Sequence, residues 1–398
     1  MKKPGRRQVT RIRNKGQRKT QPVPPVRPAY PTHSYYVHTM PGLEKLTWRE
    51  IESHLPEAML LEIQTKGQQN GLVIFQYKGN PKSLLSLRTV EDVFLVVASA
   101  ETLPESRTAL AGLAAMVDRQ VSWAPALKLH RDATGFVPKR GAQTTFRVIS
   151  RLHGFHPFHR KEAQSRVEKA IQKANPRWFL ARDHSVLEFW LNLFAGEAAI
   201  VGLRLSDITM RQRTYKRETI PASLRPSVAT SMVLLSEPKA GDIFLDPMCG
   251  AGTILIERAL WGDYQHIIGG DIRNEVVHIT ELNARAAKIH LPVYEWDATE
   301  LPSLDEFDIA QRQIDKVVCN LPFGKQIGSP AANARLYRNF LAEMSRVVKP
   351  FGRLVLLTGD HELLRHELQQ SDAFRILNVI RFWLLGTKAK IFVVQRTG

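Results

Sequence analysis

Cysteine is nearly absent from this chain: Cys249 and Cys319 are the two among 398 residues. Two thiols give no disulfide framework, and a reducing cytoplasm is the simple reading. No apolar run approaches 18 residues, so no transmembrane helix and no membrane partner are expected. The basic N-terminus also lacks the apolar h-region of a secretory signal. Acidic residues are scarce, 38 against 56 Lys and Arg, and residues 1–32 contain none. A net charge of +18 is extreme for a metabolic enzyme and points to a polyanion, nucleic acid ahead of an anionic membrane surface. What the chain does have is 43% hydrophobic residues. That is ample for real cores and excludes global disorder, and the length allows two or three domains.

One stretch organises the rest. Ile243-Phe244-Leu245 is a short apolar run of the kind a buried parallel strand shows. Asp246-Pro247 ends it, since Pro has no N–H for a ladder. Met248, Cys249 and a turn bracketed by Gly250 and Gly252 follow, and from Thr253 the pattern is helical. Glycines there let backbone N–H groups approach a ligand at a helix start. Asp271 stands 19 positions after Gly252, at the end of the run His266–Gly270. A carboxylate at that distance can accept both hydroxyls of a ribose, which suggests a nucleotide-like cofactor. A βαβ unit with glycines for close contact only remains the plain alternative.

A second stretch says what the cofactor is for. Ile314–Cys319 reads as another buried strand, and Asn320-Leu321-Pro322-Phe323 follows at its carboxyl end, where open parallel sheets bind ligands. Here the chain resembles the Rossmann-fold methyltransferases that use S-adenosylmethionine and methylate exocyclic amino groups of bases. Two departures, Leu321 for a first Pro and Met248 for a first Gly, resemble the RNA guanine-N2 methyltransferases that carry a THUMP domain. The run Leu321–Lys325 with Ile327-Gly328-Ser329 resembles that subgroup too.

The resemblance implies an α/β fold: a Rossmann-like C-terminal domain with a mostly parallel seven-stranded sheet, preceded by a ferredoxin-like unit and a THUMP module. Boundaries are expected at 1–32 (a basic, Pro-rich arm), 33–135 (ferredoxin-like), 136–210 (THUMP), 211–223 (linker) and 224–398 (methyltransferase). The arm has no apolar content to bury and is expected to be mobile. The ferredoxin-like reading comes from a strand–helix–strand–helix–strand rhythm with one strand unplaced. The THUMP reading rests on the Phe146-Arg147-Val148 opening and the Arg211-Gln212-Arg213-Thr214-Tyr215-Lys216 end.

The resemblance also assigns roles. Asn320, Leu321, Pro322 and Phe323 are the catalytic rim. Asp246, Met248, Gly250, Gly252, Thr253, Asp271, Ile272, Asp297, Ala298 and Asn320 are the cofactor set, with Asp297-Ala298 at the adenine amino group. Clustered basic residues, Arg147, Arg151, Arg160, Lys161 and Arg166 with Arg211, Arg213, Lys216 and Lys325, are the RNA-binding candidates. A solvated charged face is the bland reading of that cluster. His153, His156 and His159 have metal-like spacing but no cysteine beside them, so no metal is expected. A cysteine nucleophile is likewise not expected, because Cys249 belongs to the turn and Cys319 to a buried strand.

The expected activity is formation of N2-methylguanosine in RNA, tRNA near the acceptor stem first, by a monomer. Ribosomal RNA, adenine N6, and from other classes a dinucleotide dehydrogenase or a non-catalytic RNA-binding protein, are the alternatives. The dehydrogenase accounts neither for the rim nor for the charge, and the binding protein does not need both motifs.

Overall fold

A computed structural model describes residues 26–65, 70–137, 142–196, 198–221, 223–303, 313–323, 330–384 and 386–398. Two sheets carry the architecture. In the first, β1 (Ser34–Thr39), β2 (Met59–Gln64), β3 (Gly71–Gln76), β4 (Asp92–Ala100), β5 (Thr145–His153), β6 (Phe179–Leu180), β7 (Leu187–Phe194) and β8 (Ala199–Arg204) run in the order β2-β3-β1-β4-β8-β7-β5-β6. The two N-terminal units expected separately thus share one sheet, joined where β4 pairs antiparallel with β8. The strand left unplaced in the sequence is β2, and its Met59, Leu60 and Leu61 are exposed at the sheet edge. Along β1 the two-residue period splits the side chains. Tyr35 and Val37 enter one core, while Tyr36 enters the aromatic layer of Phe94, Trp190 and Phe194 on the other face.

Helices α1 (Glu44–His54), α2 (Ala109–Gln120), α3 (Trp123–Thr134) and α4 (Arg160–Ala174) accompany this sheet. Helix α3 lies outside the strand–helix rhythm read from the sequence. Residues 26–30, expected within the arm, are docked. The Arg27 carbonyl accepts from the Glu101 N–H, and the Ser99 hydroxyl accepts from the Ala29 and Tyr30 N–H groups. Residues 1–25 of that arm lie outside the described residues.

The second sheet holds β9 (Ile243–Asp246), β10 (His266–Asp271), β11 (Val293–Glu295), β12 (Ile314–Asn320), β13 (Val348–Thr358), β14 (Phe374–Leu384) and β15 (Thr387–Arg396) in the order β11-β10-β9-β12-β13-β15-β14. It is mixed rather than purely parallel. The strands from β11 to β13 are parallel, and the β14–β15 hairpin closes the edge antiparallel to β13. Helices α5 (Pro226–Leu235), α6 (Thr253–Trp261), α7 (Asn274–Ala286), α8 (Pro330–Val347) and α9 (His361–Gln369) cover both faces, each over its own apolar cluster. The strand order reverses direction between β9 and β12, the switch point at which such sheets open a crevice at their carboxyl edge.

The seam between the sheets is buried. Met40, Leu43 and Leu46 sit in the same core as Val228, Met232 and Phe382. The Trp383 N–H donates to the Pro41 carbonyl at 3.0 Å. Glu257 on α6, fully buried, accepts from Arg88, Arg213, the Tyr215 hydroxyl and the Thr230 hydroxyl. Arg225 pairs with Glu91 at 2.7 Å.

Candidate cofactor and target site

The glycine turn forms as its residue types require. Gly250 and Gly252 have φ of +53° and +74°, the left-handed region that costs other residues strain. A Cβ on Gly252 would also stand 2.5 Å from Thr280 Cγ2. The turn is pinned from outside. The Cys249 N–H donates to the Gly270 carbonyl at 2.8 Å, and the Thr280 hydroxyl donates to the Gly250 carbonyl at 2.5 Å. Asp271, at the end of β10, accepts the Gly250 N–H on Oδ2 and the Arg273 N–H on Oδ1, both at 3.2 Å. Ile272 beside it is 64% exposed.

Asp246 is 1% exposed, with Oδ1 accepting from the Met248 N–H at 3.3 Å. Its Oδ2 has no nitrogen or oxygen partner among the described residues. Burial, with the Asp271 charge adding to it, holds the Asp246 carboxyl well above the usual carboxylate range. Burial and the nearby Asp246 carboxyl likewise push the Cys249 and Cys319 thiols up. Buried high-pKa thiols are inert, as expected of residues that fill space. Met248 is half-buried against the second apolar cluster, and Thr253 opens α6.

The third strand contributes a wall. Trp296 packs against Gly270, where a Cβ would stand 2.2 Å from its ring, and its Nε1–H donates to the Pro247 carbonyl at 3.1 Å. Asp297 is exposed and Ala298 buried; Asp297 Oδ1 accepts from the Thr299 N–H at 2.8 Å and its hydroxyl at 2.7 Å. Asp297 therefore shapes a local turn, at the edge where the adenine contact was expected.

The target rim meets this turn. β12 pairs parallel with β9, Val317 opposite Leu245, so Asn320 emerges at the same carboxyl edge as Asp246 and the glycines. The Asn320 side-chain oxygen is buried and has no hydrogen-bond partner among the described residues. The backbone around it is fixed. The Leu321 N–H donates to the Leu357 carbonyl at 3.0 Å. The Tyr337 hydroxyl donates to the Pro322 carbonyl at 2.8 Å and lies 2.8 Å from the Thr358 hydroxyl. The Phe323 ring rests on Gly359, where a Cβ would stand 2.5 Å from it. Residues Gly324–Ser329, with Lys325, lie outside the described residues.

The basic candidates divide. Arg211 pairs with Asp92, Arg213 with Glu257, and Arg147 with Glu188. Arg151 lies 4.5 Å over the Trp190 ring. Lys216 donates to the Ser223 hydroxyl and the Leu224 carbonyl. Arg160, Lys161 and Arg166 are exposed along α4. The three histidines go to separate tasks: His153 stacks on Phe194, His156 bonds the His153 carbonyl, and His159 caps α4.

Residues 213–384 match the family described as "RMKL-like, methyltransferase domain" (UPF0020). That segment is similar to this family's methyltransferase domain, and it makes up less than half of the chain. The RMKL-like domain thus holds both the glycine turn and the Asn-Leu-Pro-Phe rim. Among curated relatives, the human tRNA (guanine(6)-N(2))-methyltransferase THUMP3 is 31% identical over 268 residues, 63% of this chain and 51% of that protein. The chain spans about half the length of the first curated relatives it matches. The Methanocaldococcus jannaschii tRNA (guanine(6)-N2)-methyltransferase is 25% identical over 401 residues, 90% of this chain and 98% of that one. The solved structure of TrmN from Thermus thermophilus superposes with a TM-score of 0.73 at 23% identity, covering 91% of this chain and 99% of that one. That likeness extends the shared fold across the N-terminal half.

Within the RMKL-like domain, sequence reasoning passed over Glu257, Thr280, Asn283 and Tyr337. Each is polar and fully buried on a helix whose other inward residues are largely apolar. A Glu after Ile254-Leu255-Ile256 was the one visible signal, since an unpaired carboxylate does not stay in a core.

Proposed function

We propose that this chain is an S-adenosylmethionine-dependent RNA methyltransferase that forms N2-methylguanosine, with tRNA near the acceptor stem as its substrate. The observation that carries the reading is a juxtaposition. A buried Asn320 oxygen with no partner among the described residues stands at the same sheet edge as a glycine turn and two carboxylates, Asp246 and Asp271. A buried acceptor without a donor calls for an explanation, and a ligand seated at this edge would supply one. The donor set fits the cofactor. Gly250–Gly252 and Thr253 offer backbone at a helix start, Asp271 suits ribose hydroxyls, and Ile272 gives an apolar face for adenine. Asp297-Ala298 suits the adenine amino group, and Asp246 and Met248 suit the cationic end. When bound, adenosylmethionine supplies an electrophilic methyl group on its sulfonium sulfur.

The protein's part is positioning. The lone pair of a guanine amino group is delocalised into the ring, so the nitrogen is a weak nucleophile until it is held tetrahedrally in line. Asn320 Oδ1 accepts one N–H of the target. The backbone carbonyl of Leu321 or of Pro322, the latter held in place by the Tyr337 hydroxyl, accepts the second. Phe323 stacks on the base, which has to leave its helix to reach the rim. Exposed Arg160, Lys161 and Arg166 hold phosphate, and the two free buried cysteines suit a cytoplasmic enzyme.

The names of the curated relatives support guanine and tRNA over adenine or ribosomal RNA. The test is incubation with unmodified total RNA and labelled methyl donor, followed by mapping of the product nucleoside. N2-methylguanosine in tRNA is expected. Label in N6-methyladenosine, or none in any RNA, would overturn the assignment.

A further inference from the structure

Residues 211–223 looked like a polar linker, and the structure gives part of it a clasp. Asn283 on α7 is fully buried, and both atoms of its amide are used twice. Its Oδ1 accepts the Arg217 N–H at 2.9 Å and the Glu218 N–H at 3.1 Å. Its Nδ2 donates to the Glu218 carbonyl and to the Ala251 carbonyl, both at 3.0 Å. One side chain therefore grips the linker backbone and the middle residue of the glycine turn together. Two residues further along the linker, Ile220 Cδ1 stands 3.3 Å from the place a Cβ on Gly250 would take.

The flanks of this strap are anchored too. Arg213 and the Tyr215 hydroxyl reach Glu257 on the helix that the turn begins. Lys216 closes the strap on itself through Ser223 and Leu224, and burial brings its ammonium down to about 8. An asparagine that only filled space would not use all of its donors and acceptors on two other chain segments. A buried amide so satisfied is rigid and costly to disturb.

We propose that Asn283 is a positioning residue for the cofactor: it clasps residues 217–220 over Gly250–Gly252, so that the linker forms the outer wall of the turn. The inference rests on reading that turn as the adenosylmethionine site. Filling the turn and tightening the strap are then one event, because the same amide holds both. The linker also bears on the N-terminal half, since Arg213 donates to the Arg88 carbonyl at 2.7 Å.

The experiment uses full-length protein without RNA and S-adenosylhomocysteine as the probe. Calorimetry reads its affinity, and amide hydrogen exchange reads residues 217–220 with and without it. In the wild type the ligand is expected to slow exchange at the Arg217 and Glu218 amides. Asn283→Ala is expected to weaken binding about tenfold or more, the equivalent of one lost buried hydrogen bond, and to abolish that protection. Ile220→Ala removes half-buried atoms of the strap and leaves the core alone, so it tests the wall should Asn283→Ala fail to fold. It is expected to weaken binding by a smaller factor with unchanged thermal unfolding of the free protein. Wild-type affinity in Ile220→Ala, or a strap whose exchange ignores the ligand, overturns the clasp while leaving the cofactor reading intact. A wild type that takes up no adenosylhomocysteine overturns both.

Discussion

The polar residues of the crevice and seam and those of helix α4 are the same chemical types in opposite situations. Arg88 and Arg213 share one fully buried carboxylate, Glu257, whereas Arg160, Lys161 and Arg166 face water. Buried groups act singly, through fixed geometry, and the loss of one strands its partners. Exposed charges act as a sum, screened by salt, with each nearly dispensable. The net charge of +18 therefore overstates the surface offered to RNA, because several of its arginines serve the protein's own interior.

The harshest way to probe that difference is Glu257→Ala. It leaves two arginines, a tyrosine and a threonine without their acceptor, and a loss of about 3–5 kcal/mol in denaturant unfolding is expected. A loss under about 1 kcal/mol would erase the contrast between seam and surface. Asn320→Ala comes next, at the level of turnover. A fall of about 10²–10³ in kcat with cofactor affinity near wild type is expected, as for removal of one preorganised polar group. Single-turnover kinetics with tRNA would check it, and unaltered turnover would remove Asn320 from the mechanism.

Asp246 sharpens the comparison through pH. Its folded-state pKa lies above its unfolded value, so the folded protein holds a proton there that the unfolded chain releases. Stability tied to this group is present below the ordinary carboxylate range and is lost as pH rises above it. Asp246→Asn should accordingly raise the melting temperature of the ligand-free protein at about pH 7–8, leave it unchanged near pH 4, and weaken adenosylmethionine binding. A melting temperature that falls equally at both pH values would contradict the burial argument. The mildest effect is expected on α4. Arg160→Gln, Lys161→Gln and Arg166→Gln should each change stability by less than about 0.5 kcal/mol. Combined, they should flatten the salt dependence of RNA binding, the log–log slope falling by up to about 0.9 for each phosphate no longer neutralised.

The sheet of the C-terminal half was legible because its strands are short apolar runs broken by Asp-Pro, Asn-Leu-Pro and glycine, signals that need no tertiary context. Helix α7 was less so. An apolar stripe of Val276, Ile279, Leu282, Ala286 and Ile289 suggests one face, but the buried face is Val276, Val277, Thr280, Asn283 and Ala284, with Leu282 48% exposed. The periodicity misleads because Thr280 and Asn283, polar in sequence, are buried to hold the glycine turn. The linker was opaque for the same reason, since its backbone partners come from a helix some sixty residues on. In the N-terminal half the edge strand β2 carries outward Met and Leu, a pattern that does not announce which face is wet. The single sheet was hidden because the β4–β8 pairing joins residues about a hundred positions apart, beyond the reach of local pattern.

The burial of Met40, Leu43 and Leu46 among the side chains of the RMKL-like domain has a practical corollary for anyone dissecting this protein. A cut near residue 211 strips a greasy plug from its socket, leaving each fragment with a sticky wound that invites clumping. The two halves share one apolar cluster at this seam, so changes at the plug have to be matched at the socket.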